Sequence, residues 1–547
     1  MKRALILGLG ESGIAMARWL AREGWNLRVA DTREEPPMLA ALQAELPEVG
    51  FATGAWDASL LDGVELMALS PGLSPLQEAL HGLIAEADRR GVDVVGEIEL
   101  FARALEDLRA ARGYAPRVLG VTGTNGKTTT VRMTARMLEQ AGRSVCAAGN
   151  ISPSALDALR AALDADTLPE FWVLELSSFQ LATTASLTCA AAAILNITQD
   201  HLDWHGSFED YRAAKLRIFA PTTFRVLNRD DPATRDLGAE PVLPGAGPSE
   251  AGTASFGVSA PQQLGQFGLA RDAGLLWLAC TDEAPPPRRR RRGARAGADA
   301  TTNLLGPAPL EAGEMPMVHR LMPVDALPVR GTHNAMNALA ALALVRAVGA
   351  PLAPALRALG AFQGEPHRTE HVARIAGVDY IDDSKGTNVG ATVAALEGLG
   401  AVAAPGETAP KRRIIIILGG DGKGQAFAPL AVAVARHARA AVLIGKDAPV
   451  IALALQDADV PLLASGDLTA AVNTAAGLAQ AGDIVLLSPA CASLDAFRNY
   501  AHRAAVFRAA VAELAAARPL PHRAGDAGNH DAIDADPAAG SLPGGPA

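Results

Sequence analysis

Short unbroken apolar runs, separated by helix-length stretches, recur along most of this chain. Runs apolar on both faces are the mark of parallel strands covered by helices. Residues 3–9 (RALILGL) predict such a strand, and Gly10–Gly24 a helix with Ala15, Ala17, Trp19 and Leu20 available for packing. A second strand, Asn26–Ala30, ends at Asp31, and the runs Leu66–Leu69 and Val92–Val95 continue the alternation to about residue 95. A second unit opens with a helix over Glu97–Leu108. It continues through a short apolar stretch at Arg117-Val-Leu, a helix-like segment Val131–Gly142, and strands Phe171–Leu176 and Ala190–Ile197. Gly331–Val345 (GTHNAMNALAALALV) reads as a buried Ala/Leu-rich helix. Near Gly364-Glu-Pro the pattern restarts, with strands at Val378–Ile381, Ile414–Leu418, Ala441–Ile444 and Ile484–Leu487. Repeated β/α alternation over three units predicts an α/β fold.

Two segments depart from this pattern. Residues 281–318 hold Pro285–Pro287, Arg288–Arg292 and much Gly and Ala, and the tail from 519 to 547 is rich in Pro, Gly, Ala and Asp. Both read as solvated, mobile stretches. The five arginines have no interleaved aromatic residues, and the chain as a whole carries a net charge of −10 (49 basic against 59 acidic residues). That balance argues against nucleic acid or an anionic membrane as a partner. At 547 residues the chain exceeds one core. The four cysteines are scattered, with neither metal-ligand spacing nor a disulfide framework, which fits a reducing cytoplasm. Lys2-Arg3 precede a short apolar run that Glu11 interrupts, so no signal peptide is expected, and no stretch reaches the roughly 18 apolar residues of a membrane span.

The chemistry centres on residues 120–130, GVTGTNGKTTT. A glycine turn between a strand and a helix, carrying Lys-Thr at the helix start, is a phosphate cradle. The glycines let backbone N–H groups turn inward, Lys127 can reach the β/γ-phosphates, and Thr128 can offer its hydroxyl to Mg²⁺. Val121 stands where the usual pattern begins with glycine, while Gly120 and Gly123 flank it. A second glycine motif, Gly8-x-Gly10-x-x-Gly13, follows the first strand, with Asp31 eighteen residues beyond Gly13. It suits either a dinucleotide or another phosphate-bearing ligand such as a UDP-sugar. The separate triphosphate motif tips the balance away from a dehydrogenase. Glu175, His201 and Asp203 fall at or after strand ends, where open α/β sheets place ligands, and a carboxylate and a histidine there can hold Mg²⁺. Taken singly, Glu175 could equally cap a helix and His201 could be an ordinary satisfied polar residue. Lys215, in the amphipathic stretch Tyr211–Phe219, reads by default as a solvated helix lysine. Three loops of the third unit, at 382–388, 419–423 and 488–493, offer Lys, Thr, Ser and backbone donors to an anionic substrate.

GTNGKTTT, LELSSFQL, DHLDWHGSFEDYRAAKLRIF, GTHNAMNALA, PHRTE, DDSKGTN, GGDGK and SPACASLDAF occur here in one order, and together they resemble the Mur ligases from Arg3 to about Ala516. The resemblance implies three domains: a Rossmann-like domain over 1–95 for a UDP-bearing substrate, a central P-loop ATPase-type domain with a mostly parallel sheet over 96–364, and a Rossmann-like amino-acid-binding domain over 365–518. It implies a cytoplasmic, ATP-dependent ligase, a monomer using two Mg²⁺ ions, that joins D-glutamate to UDP-N-acetylmuramoyl-L-alanine through an acyl phosphate in peptidoglycan precursor synthesis. By position, Gly10, Ser12, Gly13, Asp31, Thr32, Ser70, Pro71, Gly72 and Asn150 would serve the UDP substrate. Gly123, Thr124, Asn125, Gly126, Lys127, Thr128 and Thr129 would hold the phosphates, with Asn334, Asn337, His367, Arg368, Asp383 and Lys385 also on ATP. Lys385, Thr387, Lys423, Ser488 and Phe497 would receive D-glutamate. Lys127, Glu175, His201 and Lys215 would be catalytic, and Thr128, Glu175, His201 and Lys215 (as a carbamate) would bind metal. Gly386 stands where the resembling loop usually has alanine, and the arginine-bearing insertion matches no family role.

Overall fold

The computed structural model describes residues 2–238, 252–281, 317–329, 331–400 and 414–517. The expectations for Arg288–Arg292 and for the tail after 518 lie outside the described residues.

Strands β1 (Arg3–Leu7), β2 (Asn26–Asp31), β3 (Gly50–Thr53), β4 (Leu66–Leu69) and β5 (Asp93–Gly96) form an all-parallel sheet in the order β3-β2-β1-β4-β5. The order reverses between β1 and β4, which opens a crevice at their carboxyl ends. A second, nine-stranded sheet is built from β6 (Arg117–Thr122), β7 (Val145–Gly149), β8 (Phe171–Glu175), β9 (Ala191–Ile194), β10 (Phe224–Asn228), β11 (Thr253–Phe256), β12 (Gln266–Asp272), β13 (Leu275–Cys280) and β14 (His319–Pro323). It runs parallel from β7 to β12, and β13 and β14 close its edge antiparallel. A third sheet, in the order β15-β16-β20-β17-β18-β19, comprises β15 (Glu370–Ile375), β16 (Val378–Asp382), β17 (Ile414–Gly419), β18 (Ala438–Ile444), β19 (Leu462–Ala464) and β20 (Ile484–Leu487). Only β15 runs antiparallel.

The apolar runs explain the layering. Ile414 to Leu418 are all fully buried, because helices cover both faces of the third sheet. One core is shared by a face of the first sheet and a face of the second, joining Ile6, Trp19 and Phe101 to Trp172, Leu174 and Phe219. On the other face of the second sheet, the helix Thr332–Ala347 is apolar around most of its circumference. It lies against the helix Lys127–Gln140, with Leu339 and Leu342 buried beside Val131 and Leu138.

Most predicted runs match to within a few residues. The phosphate-loop helix begins at Lys127 rather than Val131, which puts Thr128 and Thr129 in its first turn. The helix carrying Lys215 spans Phe208–Leu216. Among the described residues, no helix is long and apolar enough to cross a membrane.

Candidate active site

The phosphate loop joins β6 to the helix Lys127–Gln140, and two glycines give it its shape. Gly123 (φ +149°) and Gly126 (φ +86°) occupy backbone conformations that other residues rarely adopt. A Cβ on Gly126 would fall 2.3 Å from Asn337 Oδ1. Asn196, at the end of β9, clamps the loop. Its Oδ1 accepts the N–H of Asn125 at 2.9 Å, and its Nδ2 donates to the Asn125 carbonyl at 3.1 Å. Lys127 Nζ donates to the carbonyls of Gly123 and Thr124, both at 2.9 Å. Thr128 Oγ1 accepts Arg368 Nη2 at 3.0 Å, across from the third sheet. A cavity of about 250 Å³ opens beside the loop, walled by Asn125, Gly126, Thr129, Asn334, Asn337, Arg368 and Asp383, and by His333 and Asn196, which sequence reasoning missed. His367 does not line it; its Nδ1 pairs with Asp382 Oδ2 at 2.8 Å.

Glu175 ends β8 and is buried. Its Oε1 accepts Asn150 Nδ2 at 2.8 Å, and its Oε2 has no hydrogen-bond partner among the described residues. Asn150, just after β7, therefore stands beside Glu175 in the central unit. An unpaired buried carboxylate oxygen is costly unless something else fills its coordination. Lys215, expected on the solvated side of its helix, is 2% exposed, because the helix Phe208–Leu216 packs that side onto the phosphate loop. Its Nζ donates to the Gly123 carbonyl at 2.9 Å and sits 4.6 Å from the Tyr211 ring centroid. Burial first, then the neighbouring Lys127 ammonium, hold its pKa well below that of an ordinary lysine. His201 (φ +53°) begins the short helix Leu202–His205 with its ring 4.6 Å from that of Phe179. Burial lowers its pKa from the ordinary histidine value, and the nearby Asp200 carboxylate opposes that shift.

At the first sheet, Gly10 caps the helix Glu11–Arg22 after β1 and Ser12 and Gly13 stand in its first turn, Asp31 ends β2 with Thr32 next to it, and Ser70-Pro71-Gly72 follow β4. Hydrogen bonds tie these loops together: Asp31 Oδ2 accepts the Leu9 N–H at 2.8 Å, and Ser70 Oγ donates to the Gly8 carbonyl at 2.7 Å. Burial pushes the Asp31 carboxyl up, but hydrogen bonds from the Arg33 side chain and from the Leu9 and Arg33 N–H groups prevail and hold it at about 2.

In the third sheet's loops, Thr387 and Lys423 line a cavity of about 70 Å³ together with Asp200 and His201. Ser488 and Phe497 do not. Ser488 is fully buried and donates to Asp383 Oδ2 at 2.6 Å, and the half-buried Phe497 ring packs on His502. Lys385 Nζ stands 5.3 Å from the Tyr500 ring centroid. Burial, then repulsion from Arg368, lowers its pKa to about 8.

A triphosphate-type loop, an orphaned carboxylate oxygen, a buried lysine and a small polar cavity converge where the second and third α/β units meet, an arrangement suited to activating one substrate's acid group for attack by another. The Mur ligase middle domain matches residues 121–243, the Mur ligase MurD-like N-terminal domain residues 2–96, and the Mur ligase glutamate ligase domain residues 367–491. The chain belongs to the Mur ligase family. It is 56% identical over 515 residues to UDP-N-acetylmuramoylalanine--D-glutamate ligase of Burkholderia ambifaria, covering 93% of this chain and 97% of that one. It is 54% identical over 520 residues to the ligase of the same name from Cupriavidus pinatubonensis, covering 94% and 98%. The fold is similar to that of UDP-N-acetylmuramate-alanine ligase from Thermotoga maritima, with a TM-score of 0.53, 19% identity, and coverage of 95% of this chain and 100% of that one.

Proposed function

We propose that this chain joins D-glutamate to UDP-N-acetylmuramoyl-L-alanine at the expense of ATP, a cytoplasmic step of peptidoglycan precursor synthesis. The observation that carries the reading is the meeting of the phosphate loop at Lys127 with the Thr387–Lys423 cavity, in a chain matching D-glutamate ligases over almost its whole length. The UDP moiety belongs at the loops after β1, β2 and β4, the nucleotide in the 250 Å³ cavity, and the amino acid at Thr387 and Lys423.

A carboxylate is a poor electrophile. The alanyl carboxylate oxygen therefore attacks the γ-phosphorus of ATP, the bond to the β-phosphate oxygen breaks, and ADP leaves. The D-glutamate amine then attacks the carbonyl carbon of the acyl phosphate. Phosphate departs with its electron pair and the new amide nitrogen loses a proton. Lys127 and Arg368 bring positive charge to the transferring oxygens. Thr128, Glu175 with its free oxygen, His201 and a carbamylated Lys215 suit Mg²⁺, which when bound would polarise those oxygens. The depressed pKa of Lys215 favours the neutral amine, the form that adds CO2 with loss of one proton to become an anionic carbamate. Contacts from the third unit onto the phosphate loop keep water from the acyl phosphate.

The test is ADP release with UDP-N-acetylmuramoyl-L-alanine across an amino-acid panel. Release that depends on D-glutamate is expected. Strong preference for L-glutamate or a diamino acid overturns the substrate assignment.

A further inference from the structure

Asn388 lies where the loop after β16 enters the helix Val389–Gly400, 263 residues from the phosphate loop it touches. Its carboxamide has two acceptor sites and two donor hydrogens, and all four are engaged. Oδ1 accepts Asn125 Nδ2 at 3.2 Å and the N–H of Ala391 at 2.9 Å. Nδ2 donates to Asn125 Oδ1 at 3.2 Å and to Asp200 Oδ2 at 3.2 Å. The Asn125 bonds form a reciprocal amide pair with the phosphate loop. The Asp200 bond reaches the residue that lines the small cavity beside His201. On either side of Asn388 in sequence, Thr387 faces that cavity and Gly390 faces the nucleotide cavity. Gly390 suits the close approach, since a Cβ there would lie tightly at 3.1 Å from Thr198 Oγ1 and 3.2 Å from Asn125 Nδ2. Asn388 is buried and its partners Asn125 and Asp200 are partly so, which limits competition from bulk water.

We propose that Asn388 is a positioning residue that couples the two cavities: a nucleotide on the phosphate loop fixes Asn125, Asn125 fixes Asn388, and Asn388 sets Thr387 and Asp200 for the amino acid. Nucleotide binding then raises the affinity for D-glutamate, and D-glutamate reciprocally raises the affinity for nucleotide. The proposal rests on the ligase reading above.

Asn388→Asp is the diagnostic variant. Aspartate retains the acceptor that caps the helix at Ala391, loses both donor hydrogens, and puts a carboxylate against that of Asp200. Asn388→Ser also keeps a capping oxygen and is too short to reach Asn125, so it serves if the aspartate variant does not fold. D-glutamate is titrated calorimetrically into enzyme holding UDP-N-acetylmuramoyl-L-alanine, with and without a non-hydrolysable ATP analogue and Mg²⁺. In wild type the analogue is expected to tighten D-glutamate binding about tenfold or more, the scale of one charge-assisted hydrogen bond. In the variants this factor falls to about one, and KM for D-glutamate rises more than KM for the UDP substrate. Two results overturn the coupling role: variants that keep the wild-type factor, even with a lowered melting temperature, or a wild type with no factor to lose. A wild type that forms no D-glutamate product under any condition defeats the ligase reading itself, a separate outcome.

Discussion

At the level of single residues, the proposed chemistry leans most on two lysines, the part-buried Lys127 and the buried Lys215, and only the first is legible in the sequence. Lys127 is marked by the glycines before it and the threonines after it, a local pattern tied to a local structure. Lys215 sits in a helix whose spacing gives no sign of which side is covered. Its burial follows from contact with Gly123, ninety-two residues away, so no nearby residue could have revealed it. The family resemblance supplied what spacing did not. Lys215→Ala is expected to lower turnover more than about 100-fold, with partial recovery on adding small carboxylic acids that stand in for the carbamate. Near-normal turnover in a steady-state assay contradicts the assignment. Lys385 gives a pH signature. With a pKa of about 8 in the free enzyme, it is an ammonium below that pH and loses its charge above it, so kcat/KM for ATP should decline above about pH 8. Lys385→Arg keeps the charge and should move that alkaline limb upward. An unmoved limb removes Lys385 from phosphate binding.

At the level of elements, the unbroken apolar strands were readable because burial on both faces leaves a continuous run, as in Ile414–Leu418. The outer strands of the second sheet were not. β12 and β13 pair antiparallel and leave Arg271, Asp272 and Leu275 exposed, which mixes polar and apolar residues without a clean period. Loops at strand ends are legible where glycine demands a special backbone, as at Gly123 and Gly126, and much less so where the signal is a lone amide such as Asn196 or Asn388. The turn at Gly126 tests the element directly. Alanine there must take a left-handed conformation, at roughly 1–2 kcal/mol, and collide with Asn337. Gly126→Ala should raise KM for ATP about tenfold or more and lower the melting temperature. ATP saturation and thermal melts check both.

At the level of the whole molecule, three sheets could be counted from the sequence, but how they meet could not. The apolar core shared by the first two sheets, and the polar contacts from Arg368 and Asn388 to the phosphate loop, link residues far apart in the chain. The arginine-bearing stretch lies between β13 and β14, whose ends are neighbours: Cys280 pairs with His319. Replacing residues 282–316 by a short glycine-containing turn should leave turnover within about twofold, since a hairpin closes over a few residues. A collapse of activity with an unchanged melt would give that stretch a catalytic part.

The central claim is that the sugar-nucleotide carboxylate is phosphorylated and that the amine displaces phosphate from the acyl phosphate so formed. Oxygen-18 placed in the alanyl carboxylate of the UDP substrate tests it most directly, by mass spectrometry of the phosphate released as D-glutamate is joined. One labelled oxygen per product molecule in inorganic phosphate is expected. Unlabelled phosphate, with amide formed at the normal rate, contradicts the account.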